Sequence, residues 1–80
     1  MKVEILTLEN ILLSEEVKSV IVPGKSGQFE ILNNHAPVIS LLNEGTIKVT
    51  YMNDEKKDFQ ILGGSIEMSN NKIIILAETA

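Results

Sequence analysis

Hydrophobic and polar residues alternate along much of this chain in short runs. Ile47, Val49 and Tyr51 fall on one face of an extended segment, with Thr46, Lys48 and Thr50 on the other. Phe59 and Ile61 alternate with Asp58 and Gln60, and Ile66 and Met68 with Ser65, Glu67 and Ser69. The run from Ile73 to Leu76 is apolar without interruption, as expected of a central strand covered on both faces. The pattern predicts strands near residues 2–8, 11–14, 16–22, 28–32, 38–42, 46–52, 57–62, 65–69 and 72–77. No apolar period of 3.6 residues runs far enough to compete. Residues 8–20 come nearest, but their β-branched flanks favour strand.

Turn chemistry separates the runs. Pro23-Gly24 closes the third and Gly27 opens the fourth. Asn33-Asn34 leads into Ala36-Pro37, where the residue before proline is biased toward extended geometry. Asn53-Asp54-Glu55-Lys56 reads as a polar hairpin tip, Gly63-Gly64 as a bend or bulge, and Asn70-Asn71 as a tight turn. So many short strands with such frequent turns predict an all-β sandwich or barrel forming one domain over residues 1–80. Ile47, Val49, Phe59, Ile61, Ile66 and Ile73 are its expected core contributors.

Composition narrows what such a domain can do. A core of this size rarely supplies more than ~3–5 kcal/mol, and small domains usually add disulfides, a metal or a partner. With no Cys and one His, disulfides, thiolate metal sites and multi-histidine sites are excluded, which leaves a partner surface. Seven basic and eleven acidic residues give a net charge of −4, with no basic stripe, so nucleic acid and anionic lipid are not expected ligands. No apolar run approaches the ~20 residues of a membrane helix, so no direct lipid insertion is expected.

Candidate catalytic groups are few. His35 is the only imidazole, in the loop Asn33-Asn34-His35-Ala36-Pro37, with Ser40 five residues on. No G-x-S-x-G or other nucleophile signature accompanies it. Its side chain either fixes the turn or meets a partner. Gly24-Lys25-Ser26-Gly27 places two residues between its glycines where a phosphate loop needs four, so it reads as a turn. No helix pattern follows Gly63-Gly64, so it makes no dinucleotide fingerprint. Glu15-Glu16 and Asp54-Glu55 are adjacent pairs whose members point to opposite faces of a strand. No catalytic residue, cofactor site or metal site is expected.

Two ordered stretches carry more information. Val22-Pro23-Gly24-Lys25-Ser26-Gly27-Gln28-Phe29 is followed by Ile31-Leu32-Asn33-Asn34-His35-Ala36-Pro37-Val38-Ile39-Ser40-Leu41-Leu42. Later come Gly63-Gly64-Ser65-Ile66-Glu67-Met68-Ser69-Asn70-Asn71-Lys72 and Ile75-Leu76-Ala77-Glu78-Thr79-Ala80. Together with Val3-Glu4-Ile5-Leu6-Thr7, Glu16-Val17 and Val20-Ile21-Val22, they make the chain resemble the epsilon subunits of F-type ATP synthases along nearly its whole length.

The resemblance implies a flattened sandwich of two sheets with roughly ten short strands. It implies a non-catalytic rotor subunit at the foot of the central stalk, joining the gamma subunit to the c-ring so that ion-driven rotation supports ATP synthesis. It places the protein on the cytoplasmic face of a bacterial plasma membrane, held there through its partners. The c-ring contact is expected in residues 24–37, at Gln28, Glu30 and His35. The gamma contact is expected on the opposite sheet, at Ile39, Leu41, Leu42 and Ser65. Gln28 stands where the family commonly has an acidic residue, and Glu30 where it commonly has Gly. Either the charge has moved two places along one face, or Glu30 is a solvated surface residue. Asn33 replaces a frequent Pro, which is expected to loosen the turn before His35. Many family members continue beyond the residues matching Ala77-Ala80 into a helical hairpin that can obstruct ATP hydrolysis or bind ATP. Without it, a constitutive coupler that binds no nucleotide is expected. The alternative from a different class is a free-standing sandwich that binds a peptide at a sheet edge.

Overall fold

A computed structural model describes all 80 residues, as eight strands and no helix. They are β1 (Lys2–Leu6), β2 (Ile11–Gly24), β3 (Gly27–Leu32), β4 (Val38–Leu42), β5 (Gly45–Tyr51), β6 (Lys56–Ile61), β7 (Gly63–Ser69) and β8 (Lys72–Glu78). The two runs expected at 11–14 and 16–22 are one 14-residue strand. Ser14, Glu15 and Glu16 interrupt the apolar pattern, but their backbone stays extended and pairs with Glu4, Val3 and Lys2 of β1.

That long strand organises the sandwich. Its first half pairs with β1, and its second half lies between β3 and β5. One layer is therefore β3-β2-β5-β6, and the other is β2-β1-β8-β7-β4. β4 returns to β2 at a single pair, Gly24 with Leu42, which closes the second layer into a ring. β1 runs parallel to β8, and every other pairing is antiparallel.

A bulge lets β2 serve both layers. Val17 pairs with Tyr51 and Ser19 with Thr50, so Lys18 is the extra residue. Before it, Leu13 and Val17 face inward, and after it Val20 and Val22 do. One inserted residue reverses the phase of a strand, which is why two buried valines stand three apart instead of two. Glu15 is in phase with Leu13 and Val17 yet exposed, just before pairing passes from β1 at Glu16 to β5 at Val17.

The core between the layers is aliphatic: Val3, Ile5, Val20, Ile31, Ile47, Val49, Ile66, Met68, Ile73 and Ile75 are essentially sealed from solvent. Five of the six expected core residues are buried; Phe59 is half-buried against the core, with the Lys57 ammonium 5.1 Å from its ring centroid. Asn70 (φ 50°) and Asn71 (φ 59°) form the two-residue β7–β8 turn. Two consecutive left-handed residues give the turn whose twist matches a hairpin, and asparagine tolerates that region better than most side chains.

Candidate interaction surfaces

The two outer faces of the sandwich differ in chemistry, and strand register explains why. On the β3-β2-β5-β6 layer the outward residues align as Glu30, Ile21, Lys48 and Asp58, with Gln28, Pro23, Thr46 and Gln60 alongside. This is a mixed polar surface, and Gln60 Nε2 donates to Thr46 Oγ1 across it at 2.8 Å. On the β4-β7-β8-β1 layer the corresponding row is Leu41, Ser65, Leu76 and Leu6. The next row is Ile39, Glu67, Ile74 and Glu4. β4, β8 and β1 thus present an apolar band to solvent, interrupted at β7 by Ser65 and Glu67.

The apolar run of β8 was expected to be covered on both faces, and the structure corrects that. Ile73 and Ile75 fill the core, while Leu76 remains 54% exposed and Ile74 half-buried on the outer side. Ile39 and Leu41 are 81% and 57% exposed beside it. Leu42, expected with them as a gamma contact, is only 5% exposed and belongs to the core. Adjacent residues of an extended strand point to opposite faces, so Leu41 and Leu42 cannot both face out. Ser65 is half-buried in the middle of the band.

At one end the band opens into a groove of about 980 Å³ lined by Leu6, Leu8, Leu41, Ser65 and Leu76 among others. Leu8 rims it with its whole side chain in solvent. A local turn presents Leu8 this way. Thr7 Oγ1 accepts from the amide of Asn10 at 3.0 Å, and the Thr7 amide donates to the Asn10 carbonyl at 2.8 Å. Leu8 and Ile11 were not singled out as contact residues. The signal available was apolar side chains beside Glu9-Asn10, in a segment that turn chemistry makes a loop.

Gln28 and Glu30 lie on the outer side of β3, both exposed, two residues apart on the same face. β3 pairs only with β2, so its other edge is open. Glu30 takes part in none of the three ion pairs, which join the Met1 amine to Glu16, Lys18 to Asp54 and Lys72 to Glu4. His35 is exposed in the loop beyond the far end of β3, so the three expected residues span the strand's length instead of clustering. The His35 ring places Nδ1 2.7 Å from the Ala36 carbonyl, and its amide donates to the Leu32 carbonyl at 3.1 Å. The Ser40 hydroxyl donates to the Leu41 carbonyl, away from the imidazole. Asn33, expected to loosen the turn, has its side chain bonded to Asn71 at 2.9 Å.

The one clearly displaced ionisation is that of Tyr51. Partial burial, and then the carboxylates of Glu15 and Glu55, push its phenol above the usual tyrosine value, so it stays neutral throughout the physiological range. No group of three or more His, Asp or Glu side chains is gathered as metal ligands would be. No helix is long and apolar enough to cross a membrane. The arrangement offers contact surfaces: one apolar band, one open strand edge bearing a carboxylate, and one fixed loop.

Comparison with known proteins agrees with the geometry. The family described as ATP synthase, Delta/Epsilon chain, beta-sandwich domain matches residues 1–80. The ATP synthase epsilon chain of Chlorobium limicola is 40% identical over 77 residues, covering 96% of this chain and 88% of the relative. The chloroplastic epsilon chain of Pelargonium hortorum is 37% identical over 76 residues, covering 95% of this chain and 57% of the relative. In fold, the chain is similar to one in the cryo-EM structure of the Euglena gracilis mitochondrial ATP synthase, OSCP/F1/c-ring. That match has a TM-score of 0.88 at 19% identity, over 94% of this chain and 48% of that one.

Proposed function

Since this chain belongs to the β-sandwich family of ATP synthase delta and epsilon chains, we propose that it works as a central-stalk rotor subunit joining gamma to the c-ring. It is a non-catalytic part of the membrane-bound ATP synthase, and it carries torque by firm contact. The observation that carries this reading is the apolar band of Leu41, Leu76 and Ile39, open to solvent in the isolated sandwich, with half-buried Leu6 beside them. Exposed contiguous apolar surface of this kind marks a protein interface. We assign it to gamma. The side of the sandwich with the open β3 edge and the His35 loop is assigned to the polar loops of the c-ring. The driving ion is a proton or sodium, and the protein sits on the cytoplasmic face of a bacterial plasma membrane.

The test is reconstitution. Membrane vesicles stripped of this subunit should recover ion-driven ATP synthesis when the chain is returned, and crosslinks from Leu41→Cys should reach gamma. Recovery without any such crosslink would move the gamma contact elsewhere.

Glu30 provides a finer test of the c-ring side. Its carboxylate is exposed and free of any partner within the chain. An exposed charge at the rim of an interface acts mainly on association rate and its salt dependence. Glu30→Lys should therefore slow reassembly several-fold at low ionic strength, and the deficit should shrink as salt is raised. An equal rate for wild type and variant in low salt would return Glu30 to the solvated surface.

A further inference from the structure

The loop between β3 and β4 carries His35, and a residue from a distant turn fixes it. Locally, the His35 amide donates to the carbonyl of Leu32 at the end of β3, and the His35 ring meets the Ala36 carbonyl. The only side chain from outside that bonds to the loop is Asn71, and that residue uses both ends of its amide. Its Oδ1 accepts from the Asn34 amide at 2.8 Å, and its Nδ2 donates to Asn33 Oδ1 at 2.9 Å. Asn71 is itself anchored: it is half-buried in the β7–β8 turn, and its carbonyl accepts from the Lys2 amide at 3.2 Å.

The turn alone does not call for this residue. With φ at 59° and the second place of a two-residue hairpin, glycine is the favoured occupant. Asparagine accepts a less favourable backbone there, and its amide gains the two loop bonds. Asn34, whose amide donates to Asn71, is also left-handed, at φ 63°.

We propose that Asn71 is a positioning residue that sets how the His35 loop is presented to its partner, acting through Asn33 and Asn34. This rests on the reading that the loop meets a stalk or c-ring partner. The variant Asn71→Gly keeps the turn and removes the amide. Hydrogen exchange at the Asn34 amide of the full chain should then speed up roughly fivefold, the change carried by one hydrogen bond of average net strength. Reassembly onto membrane vesicles holding the rest of the ATP synthase should weaken several-fold. Asn71→Asp retains an acceptor for Asn34, and rotation of the Asn33 amide gives it a donor, so it should restore both readouts. Asn33→Ala should show a part of the same effect without touching the turn. His35→Ala, assayed in parallel, tests the underlying reading on its own.

Unchanged Asn34 exchange in Asn71→Gly would overturn the inference. So would faster exchange with normal reassembly when His35→Ala impairs it. If neither variant impairs reassembly, the loop is not an interface, and the proposed role for Asn71 fails with that reading.

Discussion

Replacing Gly64 by alanine is expected to unfold a large share of the protein at room temperature. A Cβ at this position would overlap the Leu76 carbonyl oxygen and lie 3.2 Å from the Ala77 Cα. These are backbone atoms of the central strand β8, so no side-chain rotation relieves the clash. The backbone at Gly64 also has φ of 153°, a conformation L residues rarely adopt. Conformational strain of this type costs roughly 1–3 kcal/mol, and forcing extra volume into a packed site costs about as much again. The sum is comparable to the ~3–5 kcal/mol that a core this small supplies. Urea denaturation should show a midpoint lowered by half or more. Gly63→Ala is the control: its Cβ would meet only the Leu42 carbonyl oxygen, at 3.6 Å, and should leave the midpoint nearly unchanged. Equal midpoints for Gly64→Ala and wild type would show that β7 and β8 can separate at little cost.

The second large effect is on binding and should leave the fold intact. Leu41 and Leu76 sit in one row of the apolar band, separated by Ser65. Both side chains are more than half exposed, so Leu41→Glu and Leu76→Glu remove nothing from the core. If gamma covers this band, each variant buries a carboxylate without a partner at the centre of an interface. Unpaired charge in such a place costs several kcal/mol. The double variant should lose at least 100-fold in affinity for gamma while its thermal midpoint stays within a few degrees of wild type. The measurement pairs a pull-down of gamma with a melting curve. Retained binding by a folded double variant would remove the band from the gamma interface.

The strand pattern was legible because most strands alternate, and alternation reports one buried face directly. It was ambiguous where apolar residues occupy both phases. In Val38, Ile39, Ser40, Leu41 and Leu42, nothing local says which phase is inward. The register with β7 decides it: Val38, Ser40 and Leu42 stand opposite Met68, Ile66 and Gly64, whose row faces the core. The same limit applies to Ile73 through Leu76. Periodicity reports that both faces avoid water, and it cannot say whether the second cover belongs to this chain or to another. In β8 the second phase, Ile74 and Leu76, is left only partly covered by this chain.

Asn33 shows a different limit. As a replacement for proline it suggested a looser turn, since it surrenders a fixed φ. The compensating bond comes from Asn71, 38 residues away. No local reading of the turn contains that residue. The Lys18 bulge lies between these extremes: its trace, two inward valines three residues apart, is visible in the sequence, but a missing residue in the partner strand would leave the same trace.

β2 is shared by the two layers, and this has a mechanical consequence. In an ordinary sandwich the sheets are separate plates, joined by loops and side-chain packing, and sideways force can slide one over the other. Here a single backbone passes from the β1 side to the β5 side without leaving extended geometry. A second seam, at Gly24 and Leu42, ties the far edge. A load applied to the apolar face therefore travels to the polar face along peptide bonds. Shear between the faces therefore has to bend β2 at its crossover or break its pairing with β1 or β5.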